Sequence, residues 1–256
     1  MMNEEPIAMP AELEMKSGEA PSSAIAADIS DQGKAPRIPE ELSILPVRGF
    51  VVFPGTIVPL NVRRPASIEL LDDTLPRTKV IGLLTQRDET KEDPAPQDLY
   101  RVGTAALVLK MIRQADDQLL IIAQGLRRFS IGNILATEPY LRAAVDLLES
   151  KRPPESKEWE ATFRNLRDSA ARLFELTPET PEQVRLMVLN INDPEQLADF
   201  LAPNLNVDVA QKQAILEERN VEKRVELVQK QISARLEIAQ IQEKLQMDVA
   251  SQFSDA

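Results

Sequence analysis

Two residue types that carry much of enzyme chemistry are missing from this sequence. It contains no His and no Cys among its 256 residues, which excludes an imidazole base, a thiol nucleophile, a Cys/His zinc site and disulfides. Adjacent carboxylates remain, and such pairs can act in acid–base chemistry or bind a hard cation. They stand at Asp72-Asp73, Asp116-Asp117 and Glu217-Glu218. We interpret them as solvated surface, because none has a recognisable partner for proton transfer.

The acidic stretch from Arg87 to Asp98 is the other candidate for a cation site. It carries Glu89, Glu92 and Asp93, but their spacing matches no calcium-binding loop. We therefore predict an exposed acidic loop and no metal. A phosphate loop is also missing, because Gly33-Lys34 is followed by Ala35 and has no Gly five residues before it. No Gly-x-Ser-x-Gly elbow occurs either.

Basic pairs occur at Arg63-Arg64 and Arg127-Arg128. We interpret both as solvated charge, at a strand end and at a turn. Aromatic residues make up only 4% of the chain and the net charge is −11, so the sequence offers neither a stacking platform for bases nor a general attraction for phosphate backbones. These features do not favour nucleic-acid binding, and specific RNA binding is kept as a minor alternative.

The stretch from Phe53 to Leu60 is the most suggestive for binding. Pro54 and Pro59 bracket apolar residues where the backbone must bend, and Pro59 cannot donate to a β-ladder. One interpretation is core plus a rigid turn. The other is an apolar groove or strand edge that binds extended, apolar polypeptide. On the second interpretation, the candidate binding residues are Phe53, Pro54, Ile57 and Pro59.

Four regions must position these residues. Residues 1–40 hold eight acidic and three basic side chains with few large apolar ones, which predicts a disordered acidic tail. Residues 41–150 are β-rich, with a turn at Ala115–Gln118 and one short helix after Pro65. Turn residues separate short apolar or alternating runs. These runs are Phe50–Phe53, Thr56–Val62, Lys79–Leu84, Val102–Ile112, Leu119–Ala123, Phe129–Ile134 and Leu141–Leu147.

Residues 151–219 follow a helical period and predict a small bundle. Its first helix has an apolar stripe at steps of four and three residues. The stripe consists of Trp159, Phe163, Leu166, Ala170 and Leu173. The next three helices are predicted to begin at a capping box on Thr180 and at caps formed by Asp193 and Asp208.

Residues 220–256 predict one long helix without Gly or Pro. An apolar seam runs through Val221, Val225, Val228, Ile232 and Ala239, and a second line through Ile238, Ile241, Leu245 and Val249 drifts to another face. Neither line lasts the three to four heptads of a coiled coil. We expect the helix to pack on the bundle at its start and to project later. It lacks a stop signal, as if the chain were cut within the element.

No apolar run reaches the roughly 18 residues that a membrane span needs, and the acidic, proline-broken start does not resemble a secretory signal. We therefore expect a soluble, cytoplasmic protein that makes no membrane contact. The chain is long enough to bury a sizeable core.

At this point a family resemblance becomes visible. The segment Leu45–Ser67, LPVRGFVVFPGTIVPLNVRRPAS, resembles the start of the N-terminal domain of Lon proteases, LPLRDVVLFPGMVVPLFVGRxxS. Asp93–Thr104, Gln124–Arg128 and Asn220–Leu227 also match, in the family's order. Gly49 departs from the family's usual polar residue, and the predicted turn at Ala115–Gln118 lacks its usual Gly.

The resemblance implies an α+β fold: a PUA-like β pseudo-barrel, a helical bundle and a long C-terminal helix. In the family that helix leads to an AAA+ ATPase module and a Ser–Lys protease module, and neither lies in these residues. No catalytic residue is carried over, no cofactor is expected in this chain, and ATP and Mg belong to the missing ATPase module. The expected partners are unfolded or degron-bearing proteins, together with self-association or hexamer assembly through the C-terminal helix.

Three functions follow from these observations. The first is the substrate-recognition and assembly region of a Lon-type ATP-dependent protease that degrades misfolded, damaged or degron-bearing proteins. The second is a stand-alone PUA-like module that binds a peptide or ligand with no protease attached. The third is a self-contained enzyme, which the missing catalytic residues disfavour.

Overall fold

A mixed β-sheet occupies the first half of the folded chain. The computed structural model describes residues 36–114, 118–177 and 180–254, with side chains as far as Met247. The described residues from Ile38 onward belong to one structural unit. The strands are β1 (Glu41–Val47), β2 (Ile57–Val62), β3 (Val80–Thr85), β4 (Val102–Arg113), β5 (Leu119–Ala136) and β6 (Arg142–Leu147).

The sheet closes on itself through its longest strand. The strand order is β2-β5-β4-β3-β1-β6, and β6 also pairs with β5. All pairs are antiparallel except β1 with β3. Because β5 pairs with β2 through its first half and with β6 through its second half, one strand serves two neighbours on the same side. Every residue of β3 is buried, as expected for an interior strand.

Helix α1 (Pro65–Thr74) packs against this sheet. Its Leu70 and Leu71 are fully buried and share a core with Leu45 and Val62. The predicted short helix at this position is confirmed. Its first residue is Pro65, which fits a helix start because the first-turn N–H groups have no partner within the helix.

In the part of the chain that the structure describes, five further α-helices follow the sheet. They are α2 (Lys157–Glu175), α3 (Glu182–Asn190), α4 (Pro194–Leu201), α5 (Val209–Glu217) and α6 (Val221–Ser254). The predicted caps at Asp193 and Asp208 are confirmed, because each side chain accepts backbone N–H bonds in the first turn. The capping box at Thr180 is wrong, since α3 begins after Pro181 without a side-chain cap.

The segment between β1 and β2 joins the sheet core to the helical core. Val52 packs among the sheet residues, whereas Val51 and Phe53 pack with Leu166 of α2 and Leu197 of α4. The prediction of a strand at Phe50–Phe53 is wrong, because this segment pairs with no neighbouring strand. Val51, Val52 and Phe53 are all buried, which explains why apolar side chains lie on both faces of the segment.

Two other strand predictions need correction. β1 was not predicted as a strand, and Leu119–Ala123 and Phe129–Ile134 form a single strand rather than two. The predicted hairpin turn falls on residues 115–117, outside the described residues. The same holds for the predicted disordered tail as far as residue 35.

The long helix α6 changes character along its length. Val221, Val225, Val228 and Ile232 are buried in the helical core, which confirms the predicted seam over its first half. Ile238, Ile241 and Leu245 are 58%, 52% and 59% exposed. The second apolar line therefore faces solvent where its side chains are described. Within the described residues, no helix has an apolar stretch long enough to cross a bilayer.

Candidate functional site

Arg128 of β5 is buried and links the sheet to two helices. Its Nη1 donates to Oδ2 of Asp199 in α4 at 2.7 Å, and its Nη2 donates to the other oxygen of the same carboxylate. Its Nε donates to the carbonyl of Leu216 in α5 at 2.9 Å. The prediction that Arg128 is solvated is wrong, while its neighbour Arg127 is exposed.

Arg224 of α6 is fully buried beside this pair. Its Nη1 donates to Oε1 of Glu195 in α4 at 3.1 Å, and its Nε donates to the carbonyl of Glu218 at 2.9 Å. Its Nη2 donates to Oγ of Ser150, between β6 and α2, at 3.2 Å. Arg128, Glu195, Asp199 and Arg224 are called the buried ion cluster below.

The two carboxyls of the buried ion cluster respond differently to their surroundings. Burial raises the pKa of Asp199 above its ordinary value, although bonds and charge from Arg128 and Arg224 act in the opposite direction. Burial also acts to raise the pKa of Glu195, but bonds from Ser150 and Arg224 and the charges of both guanidiniums outweigh it and lower that pKa. The bonding of these groups to one another fits a structural role.

Next to the buried ion cluster, a cleft of about 800 Å³ opens between the sheet and α4. Five half-buried apolar side chains line it: Pro54, Leu126, Leu148, Ile191 and Phe200. Polar groups of Gln124, Arg127 and Gln196 share its walls. Seven further polar or charged residues line it, including the buried pair Arg128 and Asp199 and the ion pair of Arg152 with Asp193. The apolar side chains therefore form a patch within a largely polar cleft, and such a patch can hold an apolar group of a polypeptide or a small molecule.

A second groove, of about 790 Å³, lies beside β2 on another face of the sheet. Its lining includes Leu45–Arg48, Phe50, Pro59–Pro65, Glu92 and Asp93. We call it the Pro59 groove. Three arginines line it: Arg48, Arg63 and Arg64. The cleft also contains arginines, but Arg128 and Arg152 there are paired with Asp199 and Asp193.

The four candidate binding residues do not form one patch. Phe53 is 0% exposed and belongs to the helical core, so it is not available to a partner without repacking. Pro54 lines the cleft, Pro59 lines the Pro59 groove, and Ile57 is 52% exposed on β2. The other four apolar residues of the cleft were not singled out from the sequence, because only folding brings them together.

Two of the three carboxylate pairs lie within the described residues, at the surface or in local bonds, and Asp116-Asp117 lies outside them. Asp72 forms an ion pair with Arg113 at 2.6 Å, and Glu217 accepts a bond from Gln213 at 2.9 Å. Within the described residues, no three Asp or Glu side chains converge in a way that could hold a metal ion.

Comparison with known proteins agrees with this picture. The family described as the ATP-dependent protease La (LON) substrate-binding domain matches residues 41–234. Lon protease 2 of Myxococcus xanthus is 40% identical over 191 residues, which are 75% of this chain and 23% of that protein. Lon protease of Dictyoglomus thermophilum is 39% identical over 215 residues, 84% of this chain and 27% of that protein. The chain thus spans about a quarter of these relatives.

Solved structures show the same fold at lower identity. The N-terminal domain of Mycobacterium avium complex Lon protease superimposes with a TM-score of 0.57 at 24% identity, covering 75% of this chain and 98% of that domain. A Lon N-terminal domain protein from Xanthomonas campestris gives a TM-score of 0.52 at 18% identity, covering 73% of this chain and 95% of that one. Taken with the family match over most of the folded region, these findings show that the chain belongs to the Lon substrate-binding domain family.

Proposed function

We propose that this chain is the substrate-recognition and assembly region of a Lon-type ATP-dependent protease, and that it binds unfolded or degron-bearing proteins destined for degradation. The observation that carries the proposal is the match of residues 41–234 to the Lon substrate-binding domain. The cleft and the Pro59 groove support it, because both present apolar side chains on a folded support.

The proposal assigns a separate task to each region. Residues 41–150 form a PUA-like pseudo-barrel that binds client segments, residues 151–219 support it, and residues 220–256 connect it to the ATPase module. The chain itself catalyses no reaction and needs no cofactor, since ATP and Mg act in the ATPase module. The protein works in the cytoplasm. The closed sheet and the helices after it support this division.

We place client binding on β2 and the surfaces that flank it. Ile57 and Pro59 project from β2 into solvent, and Pro54 opens onto the cleft. Each apolar anchor that becomes fully buried contributes about 1.5–3 kcal/mol, from which the cost of ordering the client is subtracted. Binding is therefore weak at each anchor and depends on several anchors at once.

Replacing Ile57 and Pro59 with Ser is expected to weaken the binding of a denatured model protein about tenfold, since two apolar anchors are lost. The matched control is Ile134→Ser with Leu135→Ser, which removes two exposed apolar side chains at the far end of β5. Fluorescence anisotropy of a labelled, permanently unfolded protein measures the affinity, and circular dichroism checks that each variant is folded. Equal affinities for the two folded double variants contradict this placement.

Assembly is proposed to use the exposed half of α6. Ile238, Ile241 and Leu245 are spaced three and four residues apart and form one apolar line facing solvent. An unpartnered line of this kind favours contact with another helix.

Ile241→Glu is therefore expected to raise the dissociation constant for self-association at least tenfold, because it buries a charge in the contact. Sedimentation velocity over a range of protein concentrations measures this change. Ser233→Glu, at an exposed position nearer the start of α6, is the control. Identical concentration dependence in the two variants excludes this line of α6 from the contact.

A further inference from the structure

The Pro59 groove combines an apolar floor with a basic border. The buried residues Leu45, Val47, Leu60 and Val62 line it as an apolar floor, and the half-buried Phe50 and the exposed Pro59 line it as well. Arg48, Arg63 and Arg64 stand on the border, at the ends of β1 and β2. This arrangement is suited to a ligand that carries both an apolar group and a negative charge.

The three border arginines keep most of their hydrogen-bonding capacity. Arg48 donates from Nη2 to the carbonyl of Lys91 at 2.9 Å, and Arg64 donates to the side-chain oxygen of Gln86. Arg63 makes no side-chain bond to any described residue. Each guanidinium has five N–H donors, so the border retains donors for an incoming carboxylate. Burial, and to a lesser extent the nearby charge of Arg48, lower the pKa of Arg64, although the charges of Asp93 and Glu92 act in the opposite direction.

Their lack of ion pairs is unusual in this acidic chain. With 41 acidic and 30 basic residues, many arginines find a carboxylate partner. Examples are Arg113 with Asp72, Arg142 with Glu41, Arg152 with Asp193, and Arg172 with Glu175. Arg48, Arg63 and Arg64 form no ion pair with a described residue, although Glu92 and Asp93 line the same groove. The border therefore carries three positive charges against two negative ones.

The free edge of β2 limits the way in which a ligand can bind. Gly125 N of β5 donates to Thr56 O, just before β2, at 2.9 Å. Because backbone direction alternates along an antiparallel strand, the N–H and C=O groups of even-numbered β2 residues point toward β5. Those of odd-numbered residues point away from the sheet. Pro59 is at the middle of that outward edge and has no N–H. An added strand would lose its central hydrogen bond, which favours recognition through side chains.

We propose that the Pro59 groove binds extended client segments in which an apolar residue lies next to Asp or Glu, with the apolar side chain on Phe50 and Pro59 and the carboxylate on Arg48 and Arg63. This inference rests on the proposed function and adds a preference to it: acidic-apolar segments bind better than apolar segments with neutral or basic flanks. The occupant is a segment within an unfolded protein, and its charge is complementary to the border.

Three labelled peptides test this preference. They share the same apolar residues, and their flanking positions are all Glu, all Gln or all Lys. Titrated with the 256-residue chain, the Glu peptide is expected to bind about fivefold to tenfold more tightly than the Gln peptide at low salt, and the Lys peptide more weakly than both. The advantage of the Glu peptide should shrink as salt is raised, because both partners are partly exposed.

Matched double variants locate the preference. Arg48→Gln with Arg63→Gln is expected to abolish the advantage of the Glu peptide while leaving the affinity for the Gln peptide within about twofold. Arg37→Gln with Arg77→Gln removes two exposed guanidiniums that line neither the Pro59 groove nor the cleft, and it should keep the advantage. Both variants have the same net charge, so a difference between them cannot arise from overall charge.

The outcomes separate the two proposals. Equal binding of the Glu and Gln peptides overturns the acidic preference and leaves the proposed function standing. Loss of the preference in the Arg37/Arg77 variant instead moves the carboxylate contact out of the Pro59 groove and overturns this inference. If no peptide and no unfolded protein binds, the proposed function itself fails.

Discussion

Arg128→Ala is expected to lower the free energy of unfolding by about 3–5 kcal/mol, whereas Arg127→Ala, one residue earlier, is expected to change it by less than about 0.5 kcal/mol. The two positions differ in what surrounds the guanidinium. Arg127 is exposed, while Arg128 holds both oxygens of the buried Asp199 carboxylate and the carbonyl of Leu216. Removing Arg128 takes away the hydrogen-bond donors of the Asp199 carboxylate, which keeps only the charge of Arg224 at 3.6 Å, and it leaves the carbonyl of Leu216 without the Arg128 donor.

Urea denaturation followed by circular dichroism measures both variants, with the slope of the transition checked for constancy. The double variant Arg128→Met/Asp199→Leu is a second test. It removes the buried pair together and is expected to recover much of the lost stability, because a buried ion pair is often no more stabilising than apolar residues of similar volume. A loss of similar size for Arg127→Ala and Arg128→Ala would contradict the role given to the buried ion cluster.

The buried ion cluster also shows where sequence reasoning reaches its limit. The pair Arg127-Arg128 has no local feature that separates its two members, and their different fates depend on Asp199, 71 residues further along the chain. Arg224 lies beside Val225 in the buried seam of α6 and is itself fully buried. Whether such a charged side chain is buried depends on partners far away in the sequence. The spacing of apolar residues along one helix or strand does not reveal those partners.

Most helix caps and helical apolar stripes were predicted correctly, because both depend on residues close together in the sequence. The caps at Asp193 and Asp208 depend on bonds to backbone N–H groups two or three residues away, and the structure contains both. The stripe of α2 and the first seam of α6 were predicted correctly for the same reason, since a helical period places those residues on one face. Phe50–Phe53 failed because a short apolar run on its own does not distinguish a strand from a buried connection.

For a related reason, the exposure of the candidate binding residues could be predicted only in part. A bend bracketed by two prolines correctly located an exposed edge, with Ile57 and Pro59 in solvent. It did not indicate that Phe53 packs into the helical core, because that core is built from residues after Trp159. Nor did it indicate the three border arginines, two of which were interpreted as an ordinary solvated pair.

Gly125→Ala is expected to lower the free energy of unfolding by about 3 kcal/mol, because the new methyl group has no space. A Cβ at Gly125 would lie 2.2 Å from the carbonyl oxygen of Phe53, which is backbone and cannot rotate away. Gly125 also exchanges backbone hydrogen bonds with Gly55 and Thr56, at 2.9 Å each. The strand and the segment before β2 therefore cannot separate without losing these bonds.

Gly132→Ala, in the same strand, is the matched control. Its Cβ would lie 3.2 Å from the nearest atom, the carbonyl oxygen of Ala144, so the cost should stay below about 1 kcal/mol and is offset by the reduced freedom of the unfolded chain. Urea denaturation compares the two variants. Equal losses of unfolding free energy would show that the close approach of the Phe53 carbonyl is not the reason why glycine is needed at position 125.

Because Phe53 precedes Pro54 at the cleft, any folded Gly125→Ala protein should also bind unfolded clients more weakly than Gly132→Ala does. Unchanged binding in that protein would separate the cleft from client recognition and leave β2 and the Pro59 groove as the contact surface.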